Sequence, residues 1–364
     1  MARCRACPAR STSGHASQSN EPPPNTPLRS NRVNINVYVN VNKNTPKAAG
    51  AARPFHPTNP EPRMSKISEA HLPALPFPAA AIQAPDGSLW RNWQIQPADG
   101  PNGKDRKGVA LAAFDTGAKP FSQGDKSTDQ ATVLALAKEI DQLQNLLYAD
   151  GRFKLLLILQ GTDTSGKDGT VRGLFSQTSP LGVHTVGWKA PTETERDHDY
   201  LWRIHQKVPG AGEIMVFNRS HYEDVLVPVV NGWITPEQTR QRLAHINDFE
   251  RLLAETGTVI LKCMLHISKD EQRLRLQERV DDETKHWKFS LGDLAVRKQW
   301  SEYQRAYENL LEATSTPWAP WTVVPADSKT QRNLMIATLV RDTLKNLGLR
   351  FPPADPALAG LKVT

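Results

Sequence analysis

Residues 154–170 read KLLLILQGTDTSGKDGT: an apolar run, a glycine-rich turn, and a lysine at the start of a segment able to form a helix. Such a turn suits a multiply charged oxyanion. Gly161, Gly166 and Gly169 permit a tight loop whose amide N–H groups converge, and the positive end of the helix that follows adds to their pull. Lys167 supplies a mobile charge able to reach a phosphoryl group in transfer. Residues 161–170 are therefore expected to form a phosphate-binding loop, with Thr162, Thr164, Ser165 and Thr170 among its members. The match to G-x-x-x-x-G-K-[ST] is incomplete, because Asp168 stands where a magnesium-binding hydroxyl is expected.

A loop of this kind needs a strand before it and a helix after it. Leu155, Leu156, Leu157, Ile158 and Leu159 provide the strand. Upstream, Thr128 and Asp129 read as the cap of a helix in which Val133, Leu136, Ile140, Leu143 and Leu147 share one face, closed by Gly151. Downstream, apolar runs recur at 183–186, 214–217, 259–265 and 321–324, separated by longer polar, helix-forming stretches. Continuous apolar strands alternating with helices predict an α/β fold with a parallel sheet covered on both faces, where ligands bind at the carboxyl ends of the strands. The loop and the segments after Phe217 and Leu265 fall at such ends. The proline- and glycine-rich residues 64–127, with Trp90 and Trp93, read as an extended arm lying on the core.

Charge narrows the function classes. Residues 1–63 are rich in Pro, Asn, Ser and Ala and carry nine Lys/Arg against two Glu, so the tail holds the whole net charge of +7 and residues 64–364 sum to zero. A neutral folded part argues against nucleic acid as partner. The tail reads as disordered or as an over-extended gene start ahead of Met64. No apolar run suits a signal segment or a membrane span, so the expected location is the cytoplasm. Cys4 and Cys7 form a lone C-x-x-C in the tail, and Cys263 sits in an apolar run as a buried thiol. Residues 267–313 are dense in charge, with Arg273, Arg275, Arg279, Lys285, Lys288, Arg297 and Lys298 among the acids. Most of these read as a solvated helical face, yet a phosphoryl-transfer site needs cations that close over it, so the same run is the expected lid.

Beyond the loop, an ordered series of motifs carries a resemblance: GTDTSGKDGT at 161–170, KAPTETERDHDYLWRIH at 189–205, FNRSHYEDVLV at 217–227 and LHISKDEQRLRLQERVDD at 265–282, extended by HWKFSLGD at 286–293 and APWTVVPAD at 319–327. Over roughly residues 130–350 the chain resembles the polyphosphate kinase 2 family, distant relatives of thymidylate kinase. The resemblance implies a three-layer P-loop kinase core, residues 128–350, with a helical lid and a short tail at 351–364. It further implies magnesium dependence, reversible transfer between inorganic polyphosphate and a nucleotide, and possible homo-oligomers. Carried over residue by residue, it assigns phosphate binding to Lys167, metal and phosphate binding to Asp163, and charge neutralisation to Arg219 and, from the lid, Arg279. Arg172, Lys189, Asn218 and Lys285 become candidate substrate contacts, and Glu223 and Asp224 candidate metal ligands. Family members directed at nucleoside diphosphates commonly read GKGG and FDRSWYN, whereas this chain has Asp168 and FNRSHYED, a spelling similar to members that accept monophosphates.

No general base is required, because a nucleotide phosphate is already ionised at neutral pH; His198 and His205 therefore read as structural or surface residues. Trp202 and Trp287 could stack on a base, although core packing is the commoner fate of tryptophan. The alternatives are an ATP-dependent P-loop kinase and a non-catalytic polyphosphate- or nucleotide-binding protein; the presence of Asp163, Lys167, Arg219 and Arg279 together disfavours the second.

Residues 1–63 lack the apolar content and periodicity to contribute to a core. A chain starting at Met64 is expected to fold and to match the full chain in turnover. Comparing the two by limited proteolysis and initial rate tests this, and loss of most activity or solubility in the short form would give the extension a functional part.

Overall fold

Five apolar runs form five strands: β1 (Lys154–Gln160), β2 (Val183–Gly187), β3 (Ile214–Asn218), β4 (Thr258–His266) and β5 (Trp321–Pro325). In the computed structural model, which describes residues 89–97 and 108–363, they make one sheet in the order β2–β3–β1–β4–β5, every pair parallel. Parallel neighbours cannot be joined by a hairpin, so each connection crosses back over a face of the sheet. The crossings are helical: α1 (Lys126–Asp150), which precedes β1, then α2 (Lys167–Phe175), α3 (Glu193–Arg196), α4 (Trp202–His205), α5 (Glu223–Val230), α6 (Pro236–Glu255), α7 (Lys269–Asp281), α8 (Leu291–Lys298), α9 (Trp300–Thr314) and α10 (Lys329–Asn346).

The unbroken apolar run of β1 follows from this layering. Leu155, Leu157 and Leu159 point to one face and pack with Val133, Leu136 and Ile140 of α1 and Ile336 and Val340 of α10. Leu156 and Ile158 point to the other, among Phe249 of α6 and Tyr307 and Leu310 of α9. Both faces are dry, so the strand carries no polar alternation. The fold is α/β, a parallel sheet covered by helices on both sides, as the sequence predicted.

One cap differs from the expectation. Asp125, not Thr128 or Asp129, begins α1, its carboxylate accepting from the Thr128 amide at 2.8 Å. Asp129 is buried instead, accepting from Ser122 Oγ at 2.7 Å and from Gln331 of α10. The capping pattern was displaced because an acid inside the first turn found tertiary partners. Gly151 closes the helix in the left-handed region at φ 66°, as expected.

Ahead of α1, Gln94 and Ile95 lie on the sheet's β5 edge. Gln94 forms an antiparallel bridge to Thr322, and the Ile95 amide donates to the Trp321 carbonyl at 2.7 Å. Leu111 is buried, its amide donating to Glu308 of α9 at 2.8 Å. One backbone carbonyl of the edge strand is thereby paired within the chain. The proposed tail, its Cys4–Cys7 pair and the start at Met64 lie outside the described residues. Cys263 is buried in β4, where burial pushes its thiol up to about 12. Among the described residues, no helix is long and apolar enough to cross a membrane.

A fully buried ion pair joins α6 to β4. Lys262 Nζ donates to Glu250 Oε2 and to the Thr314 carbonyl, each at 2.6 Å, and to the Tyr222 hydroxyl at 2.9 Å. Tyr222 in turn donates to Glu250 Oε1 at 2.7 Å. Removing one partner strands a buried charge, so Glu250→Gln is expected to cost about 3–5 kcal/mol in urea unfolding. A loss below about 1 kcal/mol would show that the pair is not held dry.

Candidate active site

β1 has β3 on one side and β4 on the other, and the connections leaving it diverge, which opens a crevice at its carboxyl end. The loop after Gln160 fills this crevice. Gly161 has φ 151°, and a Cβ there would lie 2.7 Å from the Leu265 carbonyl oxygen, so only glycine fits between loop and β4. Thr164 takes φ 64°, a conformation β-branched residues avoid. It is held by α7: Arg275 Nη1 donates to the Thr164 carbonyl at 2.9 Å, and Gln272 donates to the Asp163 carbonyl at 3.2 Å. Gly166, at φ 101°, ends the loop and starts α2.

Lys167 is buried, its Nζ donating to the carbonyls of Gly161 at 2.7 Å and Thr162 at 3.1 Å. Burial brings its pKa down to about 8; the charge of Arg219 acts in the same direction, and Asp163, Glu223 and Asp168 oppose both. Thr162 Oγ1 and Thr164 Oγ1 are buried and without a hydrogen-bond partner, both on the loop that Lys167 lines. Ser165 is buried as well, while Thr170 turns its hydroxyl back to the Gly166 carbonyl at 3.3 Å.

Across the loop, Arg219 follows β3 at φ 64°, its amide bonded to the Leu159 carbonyl at 3.0 Å. This turn throws the guanidinium towards the loop. Nη2 meets Asp163 Oδ1 at 2.6 Å and Nη1 meets Glu223 Oε2 at 3.4 Å. Burial disfavours the Arg219 charge, but Glu223 and Asp163 outweigh it and raise its pKa. Asn218 donates to Asp168 Oδ1 at 2.6 Å, tying the end of β3 to the first turn of α2. From α7, Arg279 Nη1 donates to the Lys288 carbonyl at 2.8 Å and lies 3.5 Å from Asp293 Oδ2. Burial raises the Asp293 pKa and the negative charge of Asp163 adds to this, so the two carboxylates face the same space.

These groups surround a cleft of about 590 Å³. Lys167, Arg219 and Arg279 line it together, as do Lys189 and Lys285. Four further cations, Arg275, Lys288, Lys329 and Arg332, complete its wall against four carboxylates, those of Asp163, Asp168, Glu278 and Asp293. Residues 64–364, which carry no net charge, thus set nine cations against four carboxylates around one cleft, which is what an electrostatic focus for polyanions requires.

Of the expected substrate and metal contacts, Arg172, Glu223 and Asp224 do not line the cleft. Arg172 is exposed on α2. Asp224 points away from Asp163: Arg203 Nη2 holds it at 3.1 Å, and the same arginine donates to the Lys189 carbonyl at 2.9 Å and lies over the Trp188 ring. It thus braces the loop that carries Lys189. Its neighbour Glu223, one residue earlier on α5, turns the other way and shares Arg219 with Asp163, while its second oxygen takes the Gln160 amide. His198 stacks on Trp202 and His205 packs edge-on against Phe249, none of them in the cleft; Trp287 also stays outside it, 76% exposed. Trp188, Arg275, Asp293, Lys329 and Arg332 were missed or read as solvated. Lys329 and Arg332 lie just past the carboxyl end of β5, the position that identified the other segments, and that rule would have found them.

Among the described residues, no cluster of three or more His, Cys, Asp or Glu could hold a metal by itself. That donor set still fits magnesium, which keeps most of its waters and takes one or two carboxylates together with substrate phosphates. Asp163, at the cleft wall, offers such a carboxylate, with Glu223 beside the same arginine.

Comparison with known proteins agrees with this geometry. Residues 123–350 match the family model described as Polyphosphate kinase 2. The chain is 46% identical over 247 residues to an AMP/ADP-polyphosphate phosphotransferase of Meiothermus ruber, spanning 68% of this chain and 92% of that protein. It is 37% identical over 261 residues to an ADP-polyphosphate phosphotransferase of Rhodopseudomonas palustris, spanning 68% and 90%. The crystal structure of polyphosphate kinase 2 from Arthrobacter aurescens superposes with a TM-score of 0.68 at 44% identity, covering 73% of this chain and 96% of that one. A P-loop on a parallel sheet, a cation-lined cleft and a family match over most of the described residues lead to one conclusion: the chain belongs to the polyphosphate kinase 2 family.

Proposed function

We propose that the chain catalyses magnesium-dependent, reversible phosphoryl transfer between inorganic polyphosphate and a nucleoside mono- or diphosphate in the cleft between the P-loop, Arg219 and α7. The observation that carries this reading is the convergence of Lys167, Arg219 and Arg279, from three separate segments, on one cleft of a polyphosphate kinase 2 family member. Acceptance of monophosphates is supported by Asp168 in the loop and Asn218 before Arg219, which depart from the spelling of diphosphate-directed members, and by the 46% identity to a relative named for both AMP and ADP.

The chemistry follows from charge. Phosphoryl transfer runs through a loose transition state with charge spread over equatorial oxygens, so the protein's task is to position two polyanions and offset their repulsion. The amides of residues 161–170 and Lys167 hold the transferring group. Arg219, aimed by its left-handed backbone, neutralises charge that develops there, and Asp163 fixes the direction of its guanidinium. Arg279 and the rest of residues 267–313 act as a lid whose cations engage when both substrates are present. Asp163, with Glu223 close by, would hold magnesium, which when bound supplies further charge neutralisation to the phosphates. The acceptor oxygen is already ionised, so no side chain has to take its proton.

The acceptor range is tested by initial rates with AMP, GMP, ADP and GDP, polyphosphate and magnesium. Transfer to at least one monophosphate is expected, and activity on diphosphates alone would restrict the reading. Lys167→Ala and Asp163→Ala are expected to lower turnover by about a hundredfold, near 3 kcal/mol of transition-state stabilisation, with the circular-dichroism spectrum unchanged. Near-normal turnover in either would remove the P-loop mechanism. Arg279→Ala should lower kcat more than it raises KM for nucleotide; the reverse would make it an ordinary binding residue.

A proton-linkage effect follows from Lys167. With its pKa depressed to about 8, the free protein loses this charge as pH rises through that value, and a bound polyanion restores it. Binding of long-chain polyphosphate, whose internal phosphates do not titrate near neutrality, is expected to take up about half a proton at pH 8 and almost none at pH 6.5. Calorimetry in buffers of different ionisation enthalpy reads this directly, and equal uptake at both values would contradict it.

A further inference from the structure

The loop glycines meet a guanidinium. Arg332, in the first turns of α10, is 2% exposed, yet it lines the cleft. Its Nη1 occupies the place where a side chain on Gly166 would begin, and Nη2 lies 3.1 Å from the position a Cβ on Gly169 would take. Two glycines three residues apart leave a bare patch at the start of α2, and the guanidinium fills it. Gly169 has an ordinary helical backbone, so conformational freedom does not explain it, whereas the close approach of Arg332 does.

The charge on that guanidinium is not matched. Nη1 donates to the Ser165 carbonyl at 3.3 Å, and Nε and Nη2 donate to Asn333 Oδ1 at 3.2 and 2.9 Å, all neutral acceptors. Among the described residues no carboxylate forms an ion pair with it. The charge nearby is that of Arg275, itself 5% exposed, and burial together with Arg275 brings the Arg332 pKa down to about 9. A cation in the first turns of a helix also opposes the helix dipole. Position, burial and neighbours all work against this charge in the protein alone, which is the arrangement expected where an anionic ligand supplies the compensation.

We propose that Arg332 is a phosphate-binding residue of the cleft and that polyphosphate supplies the counter-charge its burial lacks, so that ligand binding and the stability of the P-loop are coupled through this one side chain. The inference rests on the functional reading above and extends it to α10, a segment to which that reading gives no role.

The test is thermal unfolding of the full-length chain with and without long-chain polyphosphate, together with KM for polyphosphate, in the wild type, Arg332→Met and Arg332→Lys. Without polyphosphate, Arg332→Met is expected to unfold at or above the wild-type temperature, since it removes an unmatched buried charge. Its stabilisation by polyphosphate should fall to half or less of the wild-type shift, and its KM should rise at least fivefold. Arg332→Lys, which keeps the charge but loses the fork, should lie between the two, and it decides the matter if the methionine variant does not fold. A full wild-type shift with a smaller rise in KM would overturn the assignment and leave Arg332 as a brace for the loop. Absence of any polyphosphate shift or turnover in the wild type would instead refute the functional reading itself.

Discussion

Two chains of negative charge have to approach within bonding distance, and the Coulomb repulsion between them is the constraint that organises this molecule. At a separation of about 4 Å, a pair of unit charges repels by roughly 4 kcal/mol at a protein surface, and phosphates bring several such pairs. The response is to concentrate cations. Nine Lys and Arg side chains reach one cleft of a protein whose residues 64–364 carry no net charge. The four acids that line the cleft are held by neighbouring polar groups: Asp163 meets Arg219, Asp293 lies beside Arg279, Asp168 accepts from Asn218, and Glu278 meets Lys329.

Concentrated positive charge has its own cost in self-repulsion, and the fold meets it by rigidity. Lys167 is buried against the Gly161 and Thr162 carbonyls, and Arg332 against the Ser165 carbonyl and the Asn333 side chain, so their N–H groups find acceptors although, among the described residues, neither forms an ion pair. Arg219 is held at a positive φ by a segment with little freedom: Ser220, His221 and Tyr222 are all buried, and Tyr222 ends on the Glu250–Lys262 pair. That pair contributes direction more than stability, since a buried ion pair rarely exceeds an apolar replacement in net worth. Its place is informative, for it anchors the turn that aims the Arg219 guanidinium.

The elements were legible in the sequence because they are written locally. An unbroken apolar run at 155–159 followed by a glycine turn reads as a strand buried on both faces, and the other four strands repeat the pattern within a residue of the observed ends. The P-loop was legible as spacing and motif, whereas Arg219 and Arg279 came only through the resemblance to the polyphosphate kinase 2 family. What escaped depends on tertiary apposition. Asp129 resembles a cap until Ser122 and Gln331 approach it. Arg275 reads as one charge among many in a solvated run, yet it is buried against the Thr164 carbonyl, 111 residues away in sequence. Glu223 and Asp224 are adjacent, and nothing in their order tells that one turns to Arg219 and the other to Arg203. Arg332 has no motif of its own, and its role emerges only from the bare backbone of Gly166 and Gly169.

A cleft that takes its phosphoryl group from polyphosphate needs no nucleoside triphosphate as donor. Phosphorus NMR of purified protein with AMP, magnesium and long-chain polyphosphate, with nucleoside triphosphates excluded, reads this. The account predicts that the resonances of ADP grow as polyphosphate is consumed, phosphoryl for phosphoryl. If ADP forms only when ATP is supplied and the polyphosphate signal stays constant, the donor is a nucleotide and the account is wrong.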